Sequence, residues 1–508
     1  MGCAALVLAS CGSESAKPPA TSLLPPSTQP APTVTRPSVN RRPNIVFVLT
    51  DDLSLNLLRF MPHVRAMEQQ GMTFENYFVS DSLCCPSRAS IFTGQFPHNT
   101  GVYGNFGPRG GFREFYRRGE EQHTFALALQ RQGYLTAMMG KYLNGYMEEG
   151  AHQADGTPTN VPPTYVPPGW NRWDVAGFGY PEFDYTLNAN GRLERYGHRR
   201  ADYLTDVLAQ KALDFIGAAA TSQHPFFLEL ATFAPHSPFV PAPRNAHDFP
   251  GLRAPRPPSF DVLPNHAPRW LAAHPPLTAR QRKRIDYEFR RRAQSVEAVD
   301  RMIGEIEHEL RSRGLAQDTY VVFSSDNGLH TGEFRLMPGK LTAFDTDIHV
   351  PLILTGPGVP PGSRTPDVAE NVDLAETFAA IAGGHMQGDG RSLLPLLHGR
   401  ATRHWRTAAL VEHKGGLLSV LDPDFQPSAS GSPTSYEAIR TRGFIYVEYA
   451  DGEREYYDLR RDPFELNNIA YQLSAARLRH LHHELARITS CRGRRCWAAM
   501  QVGGVPGL

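Results

Sequence analysis

The sequence predicts an α/β protein, with a mixed, mostly parallel central sheet flanked by helices and a small carboxyl-terminal subdomain built on a second sheet. Three observations carry this. Four apolar runs do not alternate apolar with polar residues: Asn44-Ile45-Val46-Phe47-Val48-Leu49-Thr50, Tyr134-Leu135-Thr136-Ala137-Met138-Met139-Gly140, Phe226-Phe227-Leu228-Glu229-Leu230-Ala231-Thr232-Phe233 and Tyr320-Val321-Val322-Phe323-Ser324-Ser325. Strands buried on both faces, as in parallel sheets, look like this. Helical segments alternate with them through about residue 400; one has a start at Thr278, with Gln281 three residues on, and apolar positions Val296, Val299, Ile303, Ile306 and Leu310 at helical spacing. From Trp405 the pattern changes to strand-like runs at 408–412, 444–449 and 455–459 and a helix around 474–488.

The organisation follows from composition. Residues 1–11 contain the apolar stretch Ala4-Ala5-Leu6-Val7-Leu8-Ala9, and Leu8-Ala9-Ser10-Cys11-Gly12 resembles a bacterial lipoprotein cleavage site, although no Lys or Arg precedes it. Residues 12–42, rich in Pro, Ser, Thr and Ala, read as a disordered tether that holds the protein off a surface. The folded part is expected at 43–400, with the second subdomain at 401–508. Pro-rich stretches near 150–175 and 240–277 are expected as irregular loops. The sequence has no internal repeat, and no segment is long and apolar enough to span a membrane. With 52 basic and 51 acidic residues among 508, bulk charge makes no case for nucleic acid or a charged membrane. Two basic runs, Arg280-Gln281-Arg282-Lys283-Arg284 and Arg290-Arg291-Arg292, read either as a solvated helix face or as a surface for a polyanionic glycan.

Chemistry-bearing residues stand at the ends of the apolar runs. The first run leads into Asp51-Asp52, and the last into Asp326-Asn327-Gly328. Alone, each is also what a strand-to-loop turn looks like. Ligand sites in open α/β sheets gather outside the carboxyl ends of strands, so the two tips can share one crevice. The carboxylates and the amide carbonyl would then make an oxygen-rich set suited to Ca²⁺ or Mg²⁺ rather than zinc. The other two runs deliver Lys141 and, through Ala234-Pro235, His236; Lys340 stands in Met337-Pro338-Gly339-Lys340. Two lysines and a histidine suit an anionic ester whose leaving oxygen needs a proton.

Cys84-Cys85-Pro86-Ser87-Arg88, followed by Ala89-Ser90-Ile91-Phe92-Thr93-Gly94, resembles the signature of formylglycine-dependent sulfatases, in which the first cysteine is oxidised to an aldehyde after synthesis. A hydrated aldehyde attacks a sulfate ester through oxygen, and its second hydroxyl allows sulfate to be expelled by C–O cleavage. The resemblance runs from about Pro43 to about Ala470, with the motifs in family order. It implies an alkaline-phosphatase-like fold with a carboxyl-terminal antiparallel sheet. Residue by residue, it implies Asp51, Asp52, Asp326, Asn327 and the modified Cys84 as ligands of Ca²⁺ (or Mg²⁺). Arg88 would hold the hydrated aldehyde, Lys141 and Lys340 the sulfate oxygens, and His236 would act as acid. Many members carry a histidine two residues after the first lysine; here Leu143 stands there and Asn144 is next, so the base for sulfate expulsion is open.

Gly140-Lys141-Tyr142-Leu143-Asn144 is similar to the subfamily of N-acetylglucosamine-6-sulfatases and heparan 6-O-sulfatases, as are Val166-Pro167-Pro168-Gly169-Trp170, Phe183 to Gly191, Asp202-Tyr203-Leu204-Thr205-Asp206 and Ala234-Pro235-His236-Ser237-Pro238-Phe239. The expected activity is hydrolysis of a sulfate monoester on a sugar resembling N-acetylglucosamine 6-sulfate. The expected partners are a sulfated saccharide or aryl sulfate and a formylglycine-generating maturation enzyme, with membrane association only through the amino-terminal lipid. Alternatives are a phosphonate or phosphate ester hydrolase of the same superfamily, an arylsulfatase of other substrate, and a non-catalytic glycan-binding lipoprotein. Cys491 and Cys496 close a short loop and, in an exported protein, read most simply as a disulfide. Cell-surface, periplasmic or secreted location is expected.

Overall fold

The computed structural model describes residues 42–147, 161–400, 402, 404–416 and 422–503. The expected signal at 1–11, all of the tether except Arg42, and residues 150–160 of the first Pro-rich stretch lie outside the described residues.

The main sheet has ten strands. They are β1 Asn44–Thr50, β2 Met72–Phe78, β3 Leu135–Lys141, β4 Arg172–Ala176, β5 Thr186–Ala189, β6 Arg192–Arg195, β7 Phe226–Ala231, β8 Thr319–Ser325, β9 Leu352–Thr355 and β10 Ser363–Glu370. Their order is β10-β2-β9-β8-β1-β7-β3-β4-β5-β6. The four runs singled out by composition are the central, mutually parallel strands β8, β1, β7 and β3. Antiparallel pairs occur only where β9 meets β8 and β2 and in the β4-β5-β6 end.

β1 shows why these strands are apolar throughout. Ile45, Phe47 and Leu49 point into one core, with Ala89 and Phe92 of the helix Cys84–Thr93 and Phe378 of the helix Asp373–Ile381. Val46 and Val48 point into the other, with Leu208 and Ile216 of the helix Leu204–Ala220 and Val296 and Ile303 of the helix Ala279–Ser312. Helices cover both faces, so neither face of the strand can be polar. The Thr278 start is present as expected: its side chain accepts from the Gln281 N–H while the Gln281 side chain reaches back to the Thr278 N–H.

One local expectation is corrected. The 150–175 stretch does not stay irregular: Arg172 enters the sheet as β4, whose Asp174 is held by Lys211. The β5–β6 hairpin beyond it turns through Asn190 and Gly191, both at positive φ, which those residues tolerate. The 240–277 stretch is irregular apart from one short helix, Arg269–Ala272.

A second sheet joins β11 Ala408–His413, β12 Tyr436–Thr441, β13 Phe444–Tyr449 and β14 Arg454–Asp458, all antiparallel. β12 is not legible from sequence because Glu437 and Arg440 interrupt its apolar residues. The helix Ala475–Thr489 packs Leu481, Leu485 and Ile488 against Ile439, Tyr446 and Tyr456 of this sheet. Cys491 and Cys496 are disulfide-bonded, as expected.

Candidate active site

Parallel pairing places four chemically loaded strand ends side by side. Thr50 at the end of β1 is level with Ser325 at the end of β8, Leu49 with Ala231 of β7, and Ala231 with Gly140 of β3. Asp51, Asp326, the turn to His236 and Lys141 therefore emerge on one edge, where open α/β sheets bind ligands. The junction is tied by backbone: the Asp326 N–H donates to the Thr50 carbonyl at 3.0 Å, and the Asp52 N–H to Asp326 Oδ1 at 3.2 Å. Asp52 has φ of 65°, a conformation that costs a non-glycine residue of the order of 1–3 kcal/mol. Arg292 helps to hold it there. Its buried guanidinium donates to the Asp52 carbonyl and to Ser54 Oγ. The second basic run is thus not wholly a solvated face, because Arg292 turns inward.

The helix Cys84–Thr93 presents its first residue to the same crevice, and Arg88, four residues on, lies on the same side. Cys84 Sγ is 3.0 Å from Asp51 Oδ1 and 2.9 Å from Lys340 Nζ. Arg88 Nε donates to Asp326 Oδ2 at 2.8 Å and Nη1 to the Lys141 carbonyl at 2.9 Å. Lys141 Nζ bonds Asp51 Oδ2, Lys340 Nζ meets Asp52 Oδ1 at 2.7 Å, and Asn327 Nδ2 donates to Asp52 Oδ1 at 2.6 Å. All nine residues singled out by sequence come together here, none more than 3 % exposed.

Burial alone would strip the proton from Lys141, but the Asp51 carboxylate outweighs it and holds the ammonium well above its usual range. Lys340 behaves alike, between Asp424 and Asp52. Burial opposes the charge of His236 as well, yet Asp52, Asp424 and Asp51 push it up to about 9. The same surroundings keep the Cys84 thiol uncharged: burial, then the Asp326, Asp424 and Asp51 carboxylates, raise it well above its usual value. Each carboxylate is therefore matched by a protein cation.

Asp424, between β11 and β12, is a site residue that sequence reasoning misses. Its Oδ1 lies 2.6 Å from His236 Nε2 and 2.6 Å from Lys340 Nζ, and those two cations, against the effect of burial, hold its carboxyl well below the usual range. Asn105 Nδ2 bonds its other oxygen at 2.6 Å. Asp422-Pro423-Asp424 looks like turn chemistry, so no local signal could have marked it. Tyr180 carries no such signal either. Its ring lies 4.5 Å from that of His236, and the Lys141 ammonium is 4.9 Å from its centre. Leu143 is buried in the core, and Asn144 reaches the site only through Tyr180, whose hydroxyl accepts from its amide at 3.1 Å.

The residues fit a divalent cation. Asp51, Asp52, Cys84 and His236 offer ligating atoms within 4.8 Å of one another, and buried Asn327 Oδ1 has no hydrogen-bond partner. His236 lies within reach of this group, and Asp326 stands beside it: its oxygens accept from Arg88 and from the Asp52 and Asn327 N–H groups, and a carboxylate that accepts these bonds keeps a lone pair for a cation. A cleft of about 450 Å³ opens over Asp52, His236, Lys340 and Asp424. A larger cavity of about 860 Å³, lined by Arg118, Glu120 and Arg492 among others, contains none of these groups; convergent titratable residues favour the smaller one.

The sulfatase family model matches residues 43–384, and a model of the N-sulphoglucosamine sulphohydrolase carboxyl-terminal region matches 332–490. An N-acetylglucosamine-6-sulfatase of Capra hircus is 35 % identical over 486 residues, covering 90 % of this chain and 85 % of its own. Among solved structures, a protein in complex with its substrate D-glucosamine-2-N,6-O-disulfate aligns with a TM-score of 0.69 and 24 % identity, covering 88 % of this chain and 97 % of its own. A phosphonate monoester hydrolase of Agrobacterium radiobacter aligns with a TM-score of 0.65 and 23 % identity, over 87 % and 94 %. With the fold, the Cys84 helix and the paired aspartates in place, the match over most of the chain settles the family: the protein belongs to the sulfatases, hydrolases of sulfuric esters.

Proposed function

We propose that the protein removes the 6-sulfate of an N-acetylglucosamine unit in a glycan, using a formylglycine formed from Cys84 and a divalent cation, Ca²⁺ in preference to Mg²⁺. The observation that carries the mechanism is the placement of Cys84 at a buried helix start between Asp51, 3.0 Å away, and Lys340, 2.9 Å away. The thiol stands where a hydrated aldehyde would stand. The sugar rests on the 35 % identity to N-acetylglucosamine-6-sulfatase.

Asp51, Asp52, Asp326 and Asn327, with residue 84, would hold the cation, whose charge would offset that of the sulfate oxygens. When present, the hydrated aldehyde supplies an oxygen nucleophile and a second hydroxyl that allows its regeneration. The chain's own groups do the rest. Arg88 and Asp326 orient residue 84 and its surroundings. Lys141 and Lys340 stay charged and bind sulfate oxygens, and the positive end of the Cys84–Thr93 helix faces the same anion. Charged His236 gives its Nδ1 proton to the Ser237 carbonyl and its Nε2 proton to Asp424 Oδ1; a leaving alkoxide that displaces Asp424 from Nε2 would take that proton. Since Cys84 is fully buried, the maturation enzyme must reach it before the chain folds. The Cys491–Cys496 disulfide supports export to an oxidising compartment, with Cys11 as the lipid-bearing residue; among the described residues no helix is long and apolar enough to cross a membrane.

Sulfate release from N-acetylglucosamine 6-sulfate, with kcat/KM far above that for the corresponding phosphate, is the direct test. A sulfate monoester carries one negative charge and a phosphate monoester about 1.5 to 2, which a site tuned for sulfate matches poorly. A preference for phosphate or phosphonate would overturn the assignment. His236→Ala is expected to lower kcat about 10²–10⁴-fold on the sugar sulfate and far less on an aryl sulfate, whose phenolate leaves without a proton. Asp424→Asn should show the same asymmetry, and equal losses on both esters would remove this pair from the acid role.

A further inference from the structure

The cleft over Asp52, His236, Lys340 and Asp424 has a cationic lip. Arg280 and Arg284 line it, four residues apart at the start of the helix Ala279–Ser312 and therefore one turn apart on one face. Both are exposed. Their neighbour Arg282 is engaged by Asp261 Oδ2 at 3.0 Å, and Arg284 shares its charge with Glu288 Oε1 at 2.6 Å. Among the described residues, no carboxylate lies within ion-pair reach of Arg280.

The helix itself opposes this arrangement. Its first turn holds no acidic residue, so Arg280 sits at the positive end of a 34-residue helix where an anion is favoured. The neutral Thr278–Gln281 capping box satisfies N–H groups there without bringing negative charge. The Arg280 charge is thus uncompensated by the protein, while Arg284 is partly met by Glu288 of the same cleft, and both arginines stand beside Asp52, His236, Lys340 and Asp424. Phe425, 44 % exposed, adds an apolar ring to the same cleft.

We propose that Arg280 and Arg284 form a subsite for a second anion of the substrate, a carboxylate or sulfate on the saccharide unit next to the one that is hydrolysed. The substrate class is then an anionic oligosaccharide rather than a neutral sulfated sugar. The inference rests on the sulfatase reading of the adjoining site. Guanidinium groups suit it because they meet carboxylate and sulfate oxygens in a bidentate fork, and exposure keeps the contact reversible and salt-sensitive.

The test compares kcat/KM of the full chain on three 6-sulfated disaccharides, whose neighbouring unit is neutral, carries a uronate carboxylate or carries a sulfate. The native protein should favour the charged pair, and the preference should shrink as salt rises. In Arg280→Gln/Arg284→Gln the charged-to-neutral ratio should fall about tenfold, through KM rather than kcat, and Arg280→Glu should lower it further. Comparison of the uronate and sulfate arms identifies the anion. A ratio unaltered by the double substitution overturns the subsite. Should no sugar ester be hydrolysed, the 6-sulfate reading falls while the subsite is still measured: the same charged disaccharides then act as inhibitors of aryl-sulfate hydrolysis. Their Ki should rise in Arg280→Gln/Arg284→Gln, and an unchanged Ki rejects the proposal.

Discussion

Cys84→Ala should abolish hydrolysis of every sulfate ester, and in the active native protein the peptide spanning residue 84 should weigh roughly 18 Da less than its sequence mass, the difference between a thiol-bearing carbon and an aldehyde. The expectation comes from where the side chain sits. A thiol held protonated by burial and by Asp326, Asp424 and Asp51 is a poor nucleophile, and its attack on sulfate would leave a sulfur–sulfur link that water hydrolyses badly. The oxygen nucleophile avoids both obstacles. Cys85, also buried, should not substitute for its neighbour, because the Lys340 and Asp51 contacts belong to Cys84 alone. Peptide mass spectrometry combined with thiol alkylation reads the result. Full activity from a protein whose Cys84 is quantitatively alkylatable would sink the formylglycine mechanism.

Asp326→Ala should be the second most damaging change, because one carboxylate serves three purposes. It anchors Arg88 at 2.8 Å and receives the Asp52 N–H that stabilises a left-handed backbone, and in the mechanism proposed above it would also complete the oxygen set for the cation. Removing it leaves the buried Arg88 guanidinium with only the Lys141 carbonyl and a 3.9 Å approach to Asp51, at a cost of about 3–5 kcal/mol. Activity should fall at least about 10²–10³-fold, the size of a lost electrostatic contact to the reacting group. Thermal unfolding should move down with it. Asp326→Asn keeps the shape and loses the charge, so it should retain more stability than activity. Elemental analysis should find less bound cation in both variants, and chelation of the native protein followed by Ca²⁺ should remove and restore activity. Native metal content and rate in Asp326→Ala would separate the β1 and β8 tips from cation binding.

The central strands are legible in the sequence because their signal is local. A strand covered by helices on both sides is mainly apolar on both faces, and β1, β3, β7 and β8 say so within seven residues each, with isolated polar residues such as Glu229 of β7 among them. The residues next in the chain emerge at the strand's carboxyl end, so Asp51, Lys141, His236 and Asp326 can be placed in one crevice without knowledge of any contact. Residues 84 to 94 carry a signature of their own. The strands β5, β6 and β12 are less legible: β5 is four residues long with a single large apolar side chain, and β6 and β12 carry charges inside the pattern.

Tertiary structure alone decided how these groups are paired. Asp424 meets His236 across 188 residues of sequence, inside a Pro/Asp turn that reads like any other loop. Arg292 belongs to a basic run, yet it crosses 240 residues to hold the Asp52 carbonyl. Clustered carboxylates, read from sequence, call for positive charge without naming its source; folding brings Arg88 to Asp326, Lys141 to Asp51 and Lys340 to Asp52, beside the atoms that fit a cation. Composition counts charges but does not say which lie within about 3 Å of one another, the distance at which charged groups share a hydrogen bond. That distance determines whether a buried lysine keeps its proton, and it exists only once the strands have found their register.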